Sequence, residues 1–423
     1  MRTLTGRPHF SWFSGLWLVA FGILGCLSAS ESSTPAATKP ASDAKPDAAP
    51  QGNAAPLAAP GKQSWPSFRN GNQLLGVAAS ELPEKLELLW KYQAGEMIAS
   101  TAAIVGEHVY GAALNGTVFC LDRRTGKPVW IYRSIENPDP KTFAPGFKSS
   151  PTVTADSVYL GDEDGVFHAI DRATGTKRWT FPTNAEIVSS ASVIGEHVIF
   201  GSHDNSLYCL NAKDGSKVWQ FETQGPVNCT PAIMDGYTFV TGCDEHLRVI
   251  EIETGTEKVD IPLGTYLIAS PAVVDNLLFV GTYASEVVAV DWKETKQTVW
   301  TYKDPKRDFP YHASAAVTDR VVVVGGRDKR VHCIDRKTGK GLWTFDTRGR
   351  VDSSPVIAGD RVFVGSQDGN LYGLRLSDGK EVFRYTDGRP FTASPAVGEG
   401  CLVIGSESSD GNLYCFGAKA AGR

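Results

Sequence analysis

The chain has 423 residues, 42% of them apolar and 21% charged, with a formal net charge of −5. That composition can bury a core, and the length alone suggests two or three domains. The mild acidic balance excludes a nucleic-acid binder built on a concentrated basic surface, and beyond the N-terminus no apolar run reaches the ~18 residues of a membrane-spanning helix.

Residues 1–30 read as an export signal. Arg2 and Arg7 supply the charged start, and residues 10–24 are apolar. The stretch ends in Ile23-Leu24-Gly25-Cys26, which resembles the lipobox of bacterial lipoproteins and makes Cys26 a candidate lipid anchor. Cleavage after Ala29 or Ser30, and an uncleaved anchor, stay open beside it. Residues 31–62 are mostly Ala, Pro, Ser, Lys and Asp. Such a stretch buries too little surface to offset its ordering entropy, so a solvated tether is expected.

From residue 63 to 423 the chain repeats. Asp122-Arg-Arg-Thr-Gly126 precedes Trp130, and Asp171-Arg-Ala-Thr-Gly175 precedes Trp179. Asn211-Ala-Lys-Asp-Gly215 precedes Trp219, and Asp335-Arg-Lys-Thr-Gly339 precedes Trp343. The copies ending at Val259 and Phe383 lack the Trp, and a degenerate copy runs from Asp291 to Trp300. A second landmark, a small residue at the start of a strand, falls at Ala102, Pro151, Ala191, Pro231, Pro271, Ala315, Pro355 and Pro395, with spacings of 49, 40, 40, 40, 44, 40 and 40. Each unit holds four short apolar or alternating runs separated by Asp-Gly, Asp-Asn or Thr-Gly turns. Four-stranded units near forty residues predict an all-β, eight-bladed β-propeller.

The eighth unit has only three strands. Leu88-Leu-Trp90-Lys-Tyr92 is a lone fourth strand at the other end. The N-terminal strand should therefore complete the last blade and close the ring, which removes an open edge. Trp65-Pro-Ser-Phe68-Arg69-Asn-Gly71 is expected on the outside of that blade.

Ala169-Ile-Asp171-Arg-Ala-Thr-Gly175-Thr-Lys-Arg-Trp179 resembles the tryptophan-docking motif of pyrroloquinoline quinone (PQQ) type propeller repeats. That family includes quinoprotein dehydrogenases and the BamB-type lipoproteins of the outer-membrane β-barrel assembly machinery. The resemblance covers about residues 65–423 and implies structural docking between blades for Trp90, Trp130, Trp179, Trp219, Trp300 and Trp343. Val259 and Phe383 imply weaker docking.

Catalysis in the family uses PQQ, usually with Ca²⁺ and often beside a cysteine pair. No adjacent Cys-Cys pair and no Cys-x-x-Cys-His haem motif occurs. Cys120, Cys209, Cys333 and Cys415 share one third-strand position and read as small core residues; Cys229 and Cys243 flank one hairpin. Asp162-Glu-Asp164-Gly165 reads as a turn rather than a cation loop, and no histidine spacing suggests a metal.

Function in such a ring should sit where the copies diverge. The connection from Trp130 to Ser149 is long and carries Phe143 and Phe147; that from Trp300 to Ala313 carries Phe309 and Tyr311. The eighth unit has two extra residues in its 406–411 turn. All three departures should mark one face. Three residues before each strand start stand Ala99, Lys148, Val188, Asn228, Ile268, His312, Asp352 and Thr392. The residue preceding each is apolar, Phe147 and Tyr311 included, and should pack between blades. Strand alternation then turns Lys148, Asn228, His312 and Asp352 toward the channel mouth. These residues and the aromatic loops form the candidate partner-binding face. The reading is an exported, non-catalytic, monomeric scaffold of the periplasm or outer membrane, bound to an envelope protein such as the barrel-assembly machinery and to the membrane through Cys26. A PQQ- and Ca²⁺-dependent oxidoreductase and a carbohydrate- or polymer-binding propeller are the alternatives.

Overall fold

The computed structural model describes residues 57–137 and 142–419. Cys26, the export signal and most of the tether lie outside the described residues. Every regular element described is a strand. Eight sheets follow one another along the chain, and within seven of them four consecutive antiparallel strands pair in sequence order; the short strand Val77–Ala78 adds to the seventh in parallel, opposite Ile357 and Ala358. Blade 3 is typical, with strands Ser192–Ile194, His197–Ser202, Ser206–Asn211 and Lys217–Glu222. Its second and third strands are packed on both faces by neighbouring blades, with an apolar middle buried throughout and polar residues only toward their ends. Its fourth strand, at the periphery, alternates between exposed and partly buried residues. First strands of adjacent blades touch, which places them at the axis.

Closure follows the expectation. Glu87–Gln93 pairs with Asn412–Gly417 as the fourth strand of blade 8, and Trp90 stands opposite Cys415. A register shift precedes the Trp in each of the six blades that has one. Such a bulge re-aims the side chain that follows it. Each indole then reaches the next blade. Trp90 Nε1 donates to the Arg123 carbonyl at 2.7 Å, and Trp130 Nε1 to the Arg172 carbonyl at 3.0 Å. Trp179, Trp219, Trp300 and Trp343 repeat the bond to Ala212, Ile252, Arg336 and Leu376. The indole lies on the turn glycine: a Cβ on Gly175, whose φ is +72°, would stand 2.6 Å from the Trp130 ring. The residue across the ladder is small, which gives the ring its room: Cys120 under Trp130, Cys209 under Trp219, Cys333 under Trp343. Where Val259 replaces the Trp, Trp292 of the next blade packs edge-on against Phe239, 4.8 Å between centroids, and fills the gap from the other side.

The leader departs from expectation. Trp65 is buried at the axis, not outside blade 8. It bridges Ile104 of blade 1 through two backbone bonds, of 2.7 and 2.8 Å. The chain then crosses the end of the channel, binding one first strand after another. Val153 donates to Pro66, Ile233 to Asn72, Val273 to Gln73, Val317 to Leu75 and Ile357 to Gly76. Asn72 Nδ2 reaches Val193 of blade 3, and Gln63 accepts from Glu399 of blade 8. Residues 63–76 therefore bond to all eight blades. The first strands offer free backbone groups toward the axis, and an extended leader satisfies them. Arg69, only 1% exposed, donates from Nη2 to the Ala315 carbonyl at 2.8 Å, while its Nε and Nη1 have no partner.

A belt of hydroxyls rings the channel above the leader. Ser150 Oγ accepts from the Thr101 N–H, Ser190 Oγ from Ser150, and Thr230 Oγ1 from Ser190. Ser270, Ser314, Ser354 and Ser394 continue the series, each accepting from the blade before it. The sequence carries the signal, since every strand-start landmark is preceded by Ser or Thr.

Candidate partner-binding face

The long connections and the second-to-third-strand turns lie on one face because they are bonded to each other. In every blade the turn donates a backbone N–H to the preceding connection. Glu163 donates to Gly146, His203 to Glu186, Cys243 to Pro226 and Arg327 to Pro310, and the other four blades do the same. The leader closes the opposite end.

The rim residues each engage the turns beside them. Lys148 Nζ stands 3.0 Å from both Glu163 Oε1 and Glu186 Oε2. Asn228 bonds the His203 ring through Oδ1 and contacts Cys243 Sγ through Nδ2. Asp352 receives Arg327 at 2.8 and 3.3 Å and Gln367 at 3.1 Å. His312 has no partner for its buried Nε2, and its ring lies 5.3 Å from that of Tyr283. Burial, helped by Arg327 and opposed by Asp352, lowers the His312 pKa from 6.5. The four do not converge on one point, so they form a rim rather than a single pocket.

The aromatic residues divide. Phe143 is 78% exposed and Phe309 is 51% exposed. Phe147 and Tyr311 are buried, which fits their place in the apolar inter-blade set and removes them as contact residues. Phe147 meets His168 edge-on at 5.4 Å, and Tyr311 meets His332 edge-on at 5.3 Å. Each histidine is fixed twice more. His168 bonds Tyr132 and Asp162, both at 2.9 Å. His332 bonds Tyr302 at 3.1 Å and Asp328 at 3.2 Å. The two long loops, four blades apart, thus rest on the same device. Sequence reasoning missed it, although histidine occupies that third-strand position only in the two blades with long loops. It also missed Tyr266 and Tyr283, 53% and 48% exposed, whose rings meet edge-on at 6.4 Å.

Beneath the second loop, Asp304, Asp328 and His332 bring ligand-type atoms within 4.8 Å of one another. Arginine occupies the same ground: Arg330 reaches Asp304 at 3.3 Å, and Arg307 donates to the Asp328 carbonyl. Burial raises the Asp304 pKa, but the Lys306 N–H, His332 and Arg330 outweigh it and hold the carboxyl below its ordinary value. The cluster ties the 304–312 loop to blade 6. Asp162 behaves as a turn residue, accepting from the Asp164 and Val166 amides through Oδ1. Cys229 and Cys243 are unbridged.

A Ca²⁺–quinone pair needs several oxygen ligands converging on one point. Among the described residues at the rim, Asp352 is already occupied by Arg327 and Gln367, and Glu163 and Glu186 are both held by Lys148. The rim does not fit that group.

Fold and face together define an eight-bladed propeller of the PQQ-repeat type, open at a diverged loop face and closed at the other end. The family profile described as outer membrane protein assembly factor BamB matches residues 83–220, 203–317 and 297–419. The chain belongs to that family. It is 29% identical over 356 residues to outer membrane protein assembly factor BamB of Xanthomonas campestris, covering 78% of this chain and 86% of that one. Among solved structures, BamB from Moraxella catarrhalis superposes with a TM-score of 0.65 at 20% identity, covering 80% of this chain and 99% of the other. Quinohemoprotein alcohol dehydrogenase from Comamonas testosteroni superposes at 0.71 and 14% identity, covering 85% and 82%. At those identities both likenesses speak to fold alone.

Proposed function

We propose that this chain is a non-catalytic scaffold of the bacterial envelope that captures a protein of the outer-membrane barrel-assembly machinery on its loop face. The observation that carries the proposal is the set of exposed aromatics, Phe143, Tyr266, Tyr283 and Phe309, gathered on the one face where the blades diverge. Exposed aromatics on a rigid frame are the side chains that anchor protein interfaces. The occupant is an extended polypeptide segment lying across the mouth, its apolar side chains on Phe309 and the tyrosine pair. Family membership and the length of the Xanthomonas match support the assembly role. The domain acts as a monomer, held to the periplasmic side of the outer membrane by acylated Cys26 and its tether.

Photocrosslinkers placed at Tyr266 and Phe309 test this in the native envelope. Recovery of a barrel-assembly protein is expected. Recovery of polysaccharide alone would overturn the reading in favour of a glycan-binding propeller. Purified protein that bound PQQ with Ca²⁺ and reduced a dye would overturn it in favour of an oxidoreductase.

A further inference from the structure

We infer that Cys401 and Cys415 form a peroxide-sensitive dithiol in the closing blade, oxidised to a disulfide at a crevice on the leader side of the ring. Val403 stands opposite Cys415 in the ladder between the second and third strands of blade 8. Cys401 lies two residues along, so both side chains project from the same side of the sheet as diagonal neighbours. The two thiols interact across that diagonal. Arg123 crosses the seam from blade 1 and places Nη1 3.8 Å from Cys401 Sγ. The guanidinium is held there by the Gly106 carbonyl at 2.7 Å and the Glu399 carbonyl at 3.1 Å. These contacts favour the thiolate: the interaction with Cys415 and the charge of Arg123 outweigh burial and lower the Cys401 pKa, while that of Cys415 rises. A crevice of 510 Å³, lined by Arg123, Arg124, Cys401 and Lys419 among others, gives a small oxidant access.

Cysteines elsewhere in the ring supply the contrast. Cys120, Cys209 and Cys333 occupy the Cys415 position in other blades, each under its Trp. None has a second cysteine beside it, and burial pushes each thiol up to about 12. A low-pKa thiol next to a resolving thiol is the arrangement of redox-sensing pairs.

The chemistry balances with a peroxide as oxidant. The Cys401 thiolate attacks one oxygen of hydrogen peroxide; the O–O bond breaks, a sulfenic acid forms, and the departing hydroxide takes up a proton as water. Cys415 sulfur then attacks the sulfenic sulfur, the S–O bond breaks, and the hydroxyl leaves with the Cys415 proton as a second water. Two thiols lose two electrons, and one peroxide becomes two waters.

The test uses the folded full chain, reduced, freed of reductant and exposed to stoichiometric hydrogen peroxide before alkylation. The tryptic peptide 385–419 carries both cysteines and no others. It should lose 2 Da and both alkyl labels, at a rate at least ten-fold above loss of label from Cys120, Cys209 or Cys333. Cys415→Ser should leave a sulfenic acid on Cys401 that dimedone traps, and Cys401→Ser should leave Cys415 fully labelled. Equal oxidation of all buried cysteines, or retention of both labels on 385–419, would overturn the inference. The wild-type mass shift decides the matter even if a variant fails to fold.

Discussion

The two ends of the channel are built on different principles. At the leader end, one irregular segment satisfies the first strands mostly through backbone atoms, and buries Trp65, Arg69 and Leu74 among its side chains. At the loop end, a regular pattern of backbone bonds carries side chains that differ from blade to blade. Backbone bonding tolerates many sequences, whereas a rim of unlike side chains is specific. The closed end is therefore the stability element, and under the proposed function the open end is the recognition element.

Substitutions at the two ends should separate along that line. Trp65→Ala should have the largest effect, about 3–5 kcal/mol of lost stability, as for other fully buried Trp truncations. A urea transition that did not move would mean the leader is an accessory rather than part of the core. Gly175→Ala comes next, at roughly 1–3 kcal/mol, since it forces a left-handed backbone and crowds the Trp130 ring. At the other end, Phe309→Ala with Tyr266→Ala should change stability by less than about 1 kcal/mol in total. The same pair should weaken capture of the crosslinked partner at least about ten-fold, or 1.4 kcal/mol. Unchanged capture would move the binding site off the loop face.

The smallest effect concerns His312. Its folded pKa is depressed below 6.5, chiefly by burial. The unfolded chain therefore takes up the proton first, so the stability contributed is complete above 6.5 and lost as pH falls through and below that value. His312→Gln should flatten the acid limb of the melting-temperature profile slightly. A steeper limb in the variant would show that the ring is not held neutral.

Much of this was legible in the sequence because a period repeats the same evidence eight times. The blades and the closing strand follow from residues such as Asp171, Gly175 and Trp179 recurring at fixed spacing, and the docking role of the Trp follows from the family resemblance, whereas the seat of the indole on the turn glycine came only from the structure. The leader was misread because it occurs once and binds through backbone atoms, which leave no mark on residue identity. Phe147 and Tyr311 show a different limit. Their position in the repeat pointed inward and their loop pointed outward, and packing against His168 and His332 decided for the core. Trp292 shows a third, since a missing Trp at Val259 can be replaced from the neighbouring blade.

The leader also sets an order of events. In an ordinary repeat array each unit needs only its neighbours, so a truncated chain can still settle into a shorter stack. Here the first folded residues to be made bind the last blade as well as the first. Gln63 accepts from Glu399, and Glu87–Gln93 pairs with Asn412–Gly417. Such distant partners make the final step slow and leave it waiting on the whole chain. The segment that begins the domain thus acts as its completeness check, and a chain cut short leaves its own beginning unpaired.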